Sequence, residues 1–119
     1  MNRFLPQAQR LPGELPAWHA DVDAAGLRSV AEKAKAQQAR LVALWASDET
    51  PRGAGYALHV ALAMKGGLLW LSVPLERAHP RYPGIADLFP AASRMQRAAY
   101  DLVGVHAQDN PDHRKWLRH

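Results

Sequence analysis

The 119-residue sequence predicts an α+β two-layer sandwich, with an N-terminal helix, an antiparallel-rich sheet of at least three strands and a C-terminal helix. Three observations predict it. Residues Tyr56 to Met64 alternate large and small apolar side chains without a break, which is the period of a strand. Gly66-Gly67 then precedes a second apolar run, Leu68 to Val73, as a tight hairpin requires. Segments before and after this hairpin carry apolar residues at helical spacing, so each has one face to bury.

Taken in order, residues 1–20 contain Pro6, Pro12, Gly13 and Pro16 and read as an extended, irregular arm that Trp18 pins to the body. Residues 21–119 are expected to form one domain with a single modest core. The first helix is expected from Asp23 to Gln38, with Asp21 or Asp23 accepting hydrogen bonds from the free amides at its start. Its apolar stripe is Leu27, Val30, Ala31 and Ala34, with Glu32, Lys33 and Lys35 turned to water.

Leu41 to Ala46 is too short for a helix and is expected as the first strand. The stretch Ser47 to Gly55 carries Pro51, Gly53 and Gly55 and is expected as a turn. In the second strand Tyr56, Leu58, Val60, Leu62 and Met64 form the core face. Ala57, His59, Ala61 and Ala63 form a small-residue face that is exposed or closely covered. The third strand runs back to Pro74, and Arg77 to Gly84 is a second loop. The last helix is expected to start near Pro90, or to be capped at Ser93 with Gln96 completing a capping box. Its buried stripe is read as Met95, Ala99 and Leu102, and Gly104 ends it in the left-handed conformation.

Composition closes several functional classes. With 48% apolar residues and four Trp, the chain is no disordered tail. It has no Cys, which excludes a disulfide scaffold, a thiolate-held iron–sulfur cluster, a Cys zinc site and the thiolate ligands of a [NiFe] centre. No apolar run approaches the roughly 20 residues that span a bilayer, and Met1 to Pro6 lack a signal-peptide core. A cytoplasmic protein is expected, membrane-associated only through a partner. The net charge of +4 raises nucleic acid as a ligand, but the basic residues are scattered and do not interleave with aromatic ones.

Catalytic signatures are absent from the local sequence. The six His residues (19, 59, 79, 106, 113 and 119) are dispersed, with no pair at helical ligand spacing. His59 reads as a partly exposed strand residue, and His106 and His113 are near enough across a turn to consider as a pair. No G-x-S-x-G elbow occurs, and Gly53-Ala54-Gly55 lies between two strands, where it serves a turn and not a phosphate. Arg97 and Asp101, one helical turn apart, can pair at the surface for about 0.2–0.5 kcal/mol. Asp112 is read as the cap of a last turn over Arg114 to Leu117.

The last third of the chain has a more specific pattern. Gln96-Arg97-Ala98-Ala99-Tyr100-Asp101-Leu102-Val103-Gly104 is followed by Asn110-Pro111-Asp112-His113-Arg114. This resembles the signature E-R-E-x-x-D-L-x-G, then H-P-D-x-R, of the 30-kilodalton subunit family of respiratory complex I (NADH dehydrogenase). It resembles most of all the N-terminal domain of formate hydrogenlyase-type [NiFe] hydrogenase large subunits. Arg97, Asp101, Leu102, Gly104, Pro111, Asp112 and Arg114 match, whereas the two Glu positions hold Gln96 and Ala98 and the His position holds Asn110.

The resemblance implies a non-catalytic assembly subunit or domain of a complex I-like (NADH:quinone oxidoreductase) or hydrogenase complex. Such a chain binds no cofactor and no metal itself, while partner subunits carry iron–sulfur clusters or a [NiFe] centre. It implies docking on the large catalytic or quinone-site subunit beside other peripheral-arm subunits. The implied partner interface is Arg97, Tyr100, Asp101, Gly104, Pro111, Asp112, Arg114 and Trp116, with Arg97 and Arg114 making charge-assisted bonds and Tyr100 and Trp116 as anchors. The alternative reading is a stand-alone interaction or nucleic-acid-binding module that kept the fold.

Overall fold

The computed structural model of the chain describes residues 1–53 and 55–108. Its order is β1 (Gln9–Arg10), β2 (Ala17–Asp21), α1 (Ala24–Ala36), β3 (Arg40–Asp48), a 3-10 turn (Thr50–Arg52), β4 (Tyr56–Met64), β5 (Gly67–Leu75), β6 (Arg81–Pro83), α2 (Ala92–Val103) and β7 (His106–Gln108). The α+β class stands. Five strands form the main sheet in the order β1-β2-β5-β4-β3, and β6 and β7 form a small parallel pair.

The hairpin forms as its alternation requires. Tyr56 pairs with Leu75 and Met64 with Gly67, without a register shift. Lys65 and Gly66 make the turn, and the positive φ belongs to Gly67 (132°) and not to Gly66. Gly67 answers a second need as well: a Cβ there would run into the carbonyl oxygen of Pro16. That contact seats the N-terminal segment on the hairpin, where the Leu68 amide donates to Pro16 O at 3.0 Å.

The expected irregular arm is more ordered than its prolines imply. Residues 17–21 form β2, which pairs parallel to β5 from Ala17↔Leu68 to Asp21↔Ser72. Leu5 and Ala8 are buried in the core. The prolines flank these strands, so no ladder amide is lost. Residues 77–84, expected as a loop, likewise contain β6, and β7 follows α2.

Asp23 caps α1: its Oδ1 accepts from the Gly26 amide at 2.7 Å. The helix buries Leu27, Val30, Ala31 and Ala34, the stripe read from the sequence. It ends through Gln38, which takes φ 62°, while the Ala39 amide returns to Ala34 O at 3.0 Å. Arg28 anchors α1 to the segment before α2. Its guanidinium donates to both carboxylate oxygens of Asp87 at 2.7 and 2.6 Å, and to Gly84 O at 3.1 Å. Asp87 raises the Arg28 pKa above its ordinary value.

One core cluster joins the helices to the sheet: Leu27, Val30 and Ala31 of α1, Ala92 and Ala99 of α2, and Leu44, Leu58, Val60, Leu62, Leu69, Leu71 and Val73 of the strands. Both helices therefore cover the same side of the sheet. Tyr82 of β6 is fully buried, and its hydroxyl has no hydrogen-bond partner among the described residues. Burial alone raises its pKa.

Two expectations about α2 need correction. Leu102 is not in the buried stripe: it is 82% exposed, while Ala92 and Ala99 are the buried positions. Small side chains let α2 lie close along β3, and this turns the helix so that Leu102 leaves the core. The capping box is not made either. The helix begins at Ala92, one residue ahead of Ser93, and no side chain caps it. Backbone turns serve instead, with the Ala92 amide donating to Phe89 O and the Ser93 amide to Pro90 O. Gln96 reaches away to accept from the Ile85 amide at 2.9 Å.

Candidate functional site

The outward face of α2 carries the residues singled out in the sequence. Arg97 Nε lies 3.9 Å from Asp101 Oδ2, with side chains 82% and 61% exposed. This is a loose pair that contributes at most a few tenths of a kcal/mol, roughly, to the fold. Tyr100 and Leu102 flank it as two of the exposed large apolar residues. The Tyr100 ring meets His106 of β7 edge-on, with centroids 5.5 Å apart. Gly104 has φ 76°, and its amide donates to Tyr100 O at 2.8 Å, closing the helix as expected.

The two Glu positions of the resembled signature have different fates. Gln96 points to the core side, where its amide oxygen stabilises the Ile85 loop. Ala98 is exposed beside Arg97 and supplies no charge. The structure thus brings Arg97, Tyr100, Asp101 and Gly104 together at one end of α2. Pro111, Asp112, Arg114 and Trp116, with His113, lie outside the described residues.

A second cluster, on the side of the sheet away from the helices, was not assembled by sequence reasoning. His59 of β4 stands in one cross-strand row with Trp45 of β3 and Ser72 of β5, and Asp21 of β2 continues the row. His59 Nε2 lies 3.0 Å from Ser47 Oγ, and its Nδ1 lies 3.0 Å from Ser72 Oγ and 3.3 Å from Trp70 Nε1. The same Ser72 oxygen is 2.9 Å from His19 Nε2, which is 3.8 Å from Asp21 Oδ1. Trp45 stacks on His59 at 5.1 Å, and Trp70 meets His19 edge-on at 4.7 Å.

Beneath the rings, Ala61 is buried yet outside the core cluster, so the small-residue face is covered by this array of aromatic and imidazole rings. The signal lay in the alternation itself, since Trp45, His59 and Trp70 all fall on the non-core side. Only the strand register brings them together. Burial lowers the His59 pKa; Glu49 and Asp21 favour the charged form, and His19 opposes it.

Among the described residues no three of His, Asp and Glu gather in a group able to hold a metal ion. No helix among them is long and apolar enough to cross a membrane. The outward strip of α2 has exposed charges flanked by two apolar side chains.

Comparison with known proteins identifies the pattern. Residues 20–119 match the family model described as the 30-kilodalton subunit of respiratory-chain NADH dehydrogenase. The chain belongs to this family. It is 36% identical over 88 residues to the C/D subunit of NADH-quinone oxidoreductase from Rhodopseudomonas palustris strain BisA53, covering 66% of this chain and 15% of the relative. With the C subunit of the Moorella thermoacetica NADH-quinone oxidoreductase it shares 40% identity over 47 residues, which is 40% of this chain and 32% of the relative. The chain therefore spans a minor part of the length of either relative.

The fold recurs in solved structures. The trypsin-resistant fragment (1-134) of Nqo5 superposes with a TM-score of 0.73 at 19% identity, covering 85% of this chain and 86% of that one. A chain of the membrane-bound sulfane sulfur reductase, an archaeal respiratory membrane complex, gives 0.70 at 20% identity, covering 90% and 65%. The α+β sheet with its two helices is thus a fold also found in a respiratory membrane complex.

Proposed function

We propose that the chain is a non-catalytic assembly subunit, or domain, of a complex I-like NADH:quinone oxidoreductase, docking on the large catalytic subunit through the outward face of α2. The observation that carries this reading is the exposed strip on which Tyr100 and Leu102 flank the loose Arg97–Asp101 pair. Arg97, Asp101 and Leu102 are positions at which the family signature matches. A pair so weakly held in the free chain costs little to open, so Arg97 is available for a bidentate bond to a partner carboxylate. Leu102 and Tyr100 supply the apolar anchors that such a charge contact needs around it. On this reading cofactors belong to the partner subunits, and association with the membrane runs through the complex.

Co-purification of the tagged full chain from its own cells tests the proposal. The expected companion is a large subunit of the NADH-quinone oxidoreductase type. A [NiFe] hydrogenase large subunit would instead move the assignment to the hydrogenase branch. Combining Arg97→Glu with Arg114→Glu is expected to release the companion while thermal unfolding stays unchanged. Retention of the companion by a folded double variant would sink this interface.

A further inference from the structure

Trp70 decides the state of His59. An indole N–H only donates, and Trp70 Nε1 lies 3.3 Å from His59 Nδ1. Nδ1 is therefore the unprotonated, accepting nitrogen, and the ring proton sits on Nε2, which donates to Ser47 Oγ at 3.0 Å. The Ser72 hydroxyl, 3.0 Å from the same Nδ1, directs its proton to His59 as well. Its lone pairs are then left for the Nε2–H of His19 at 2.9 Å. One donor-only group thus sets the direction of a chain that runs from His19 to Ser72 to His59 to Ser47, across β2, β5, β4 and β3.

Protonation of His59 adds a hydrogen to Nδ1, where two donors already point. Ser72 can rotate its hydroxyl and accept, but Trp70 cannot, so the indole must move away or lose its bond. That movement involves the whole array, because Trp70 also packs on His19 and Trp45 on His59. Among the described residues, the other ionisable groups facing His59 are Glu49 beyond β3, and His19 and Asp21 on β2.

We propose that this sheet face is a pH-sensitive device: the relay locks His59 as the neutral Nε2–H form, and proton uptake there displaces Trp70 and loosens the Trp45–His59–Trp70 array. The array lies on the side of the sheet away from α2 and its proposed interface. The device places a reversible rearrangement on the side of the sheet that the helices leave uncovered.

Nitrogen-resolved NMR of the full chain with labelled His and Trp, titrated from about pH 8 to about pH 5, tests it. The neutral His59 ring should show a bare Nδ1 and a protonated Nε2, with a midpoint below the ordinary 6.5. The Trp70 indole N–H resonance should shift at that same midpoint, and His59→Gln should abolish the shift. In Trp70→Phe the Nδ1–H form should appear and the midpoint should rise. Trp70→Leu, which likewise removes the donor-only indole N–H, should raise the midpoint too and serves if the Phe variant does not fold. An Nδ1–H tautomer in the unaltered chain, or a Trp70 resonance indifferent to His59, would overturn the proposal.

Discussion

Strand β4 shows two different surfaces to its two sides. Leu58, Val60 and Leu62 face the helices and are completely buried. His59 faces the other way, into a row where nearly every neighbour is held by a directional polar or ring contact. The first surface is held by area removed from water, which tolerates many apolar side chains of similar volume. The second is held by donors and acceptors, where one altered atom misdirects its neighbours. A single strand therefore carries a tolerant face that makes the fold and an exacting face that fixes protonation.

The strongest way to break this contrast is on the apolar side. Leu62→Ala is expected to destabilise the chain by about 2–5 kcal/mol, read from urea unfolding midpoints, because α1, α2 and the sheet share the core it leaves. Next is the clamp that fastens α1 across that core. Asp87→Asn removes the charge opposing Arg28, and a loss of about 1.5–3 kcal/mol is expected. A loss no larger than that of a surface pair would show that the clamp adds nothing to the packing beneath it.

The polar side should respond to pH instead. The folded chain holds His59 below its ordinary value of 6.5, so as pH falls the unfolded chain takes up that proton first. The His59 contribution to stability is therefore full above pH 6.5 and is lost progressively below it. His59→Gln should flatten that part of the pH–stability curve, whereas Leu62→Ala should shift the whole curve and keep its shape. The smallest change is expected on α2. Arg97→Ala should alter stability by less than about 0.5 kcal/mol, although it removes a group proposed to bind the partner. A large stability loss there would mean that this strip belongs to the fold.

The hairpin and both helices could be read from the sequence because each has a long period and an unambiguous stop: Met64 before a turn, Asp23 as a cap, Gly104 as a left-handed end. β2 was missed for a physical reason. It is five residues long and follows a run of prolines, and what orders it is a partner strand far away in the chain. Leu102 was misplaced because hydrophobicity alone puts a leucine inside, whereas close approach to β3 favours the alanines at 92 and 99. The α2 strip was legible residue by residue, since spacing on one helix is local. The His59 array was not, because it needs the register of four strands at once.

The parallel pairing of β2 with β5 also orders events in time. Its two strands are joined by long-range contacts such as His19 with Ser72, 53 positions apart. During synthesis the β2 segment emerges early with only the two-residue β1 beside it, and its edge toward β5 has no neighbour until β5 has left the ribosome. The ladder groups of that edge stay open over that interval, and the segment is exposed to the pairing errors of an unsatisfied strand edge. The glycine that receives Pro16 sits at the first residue of β5, so the earliest part of the late strand to appear is the part that captures the waiting one.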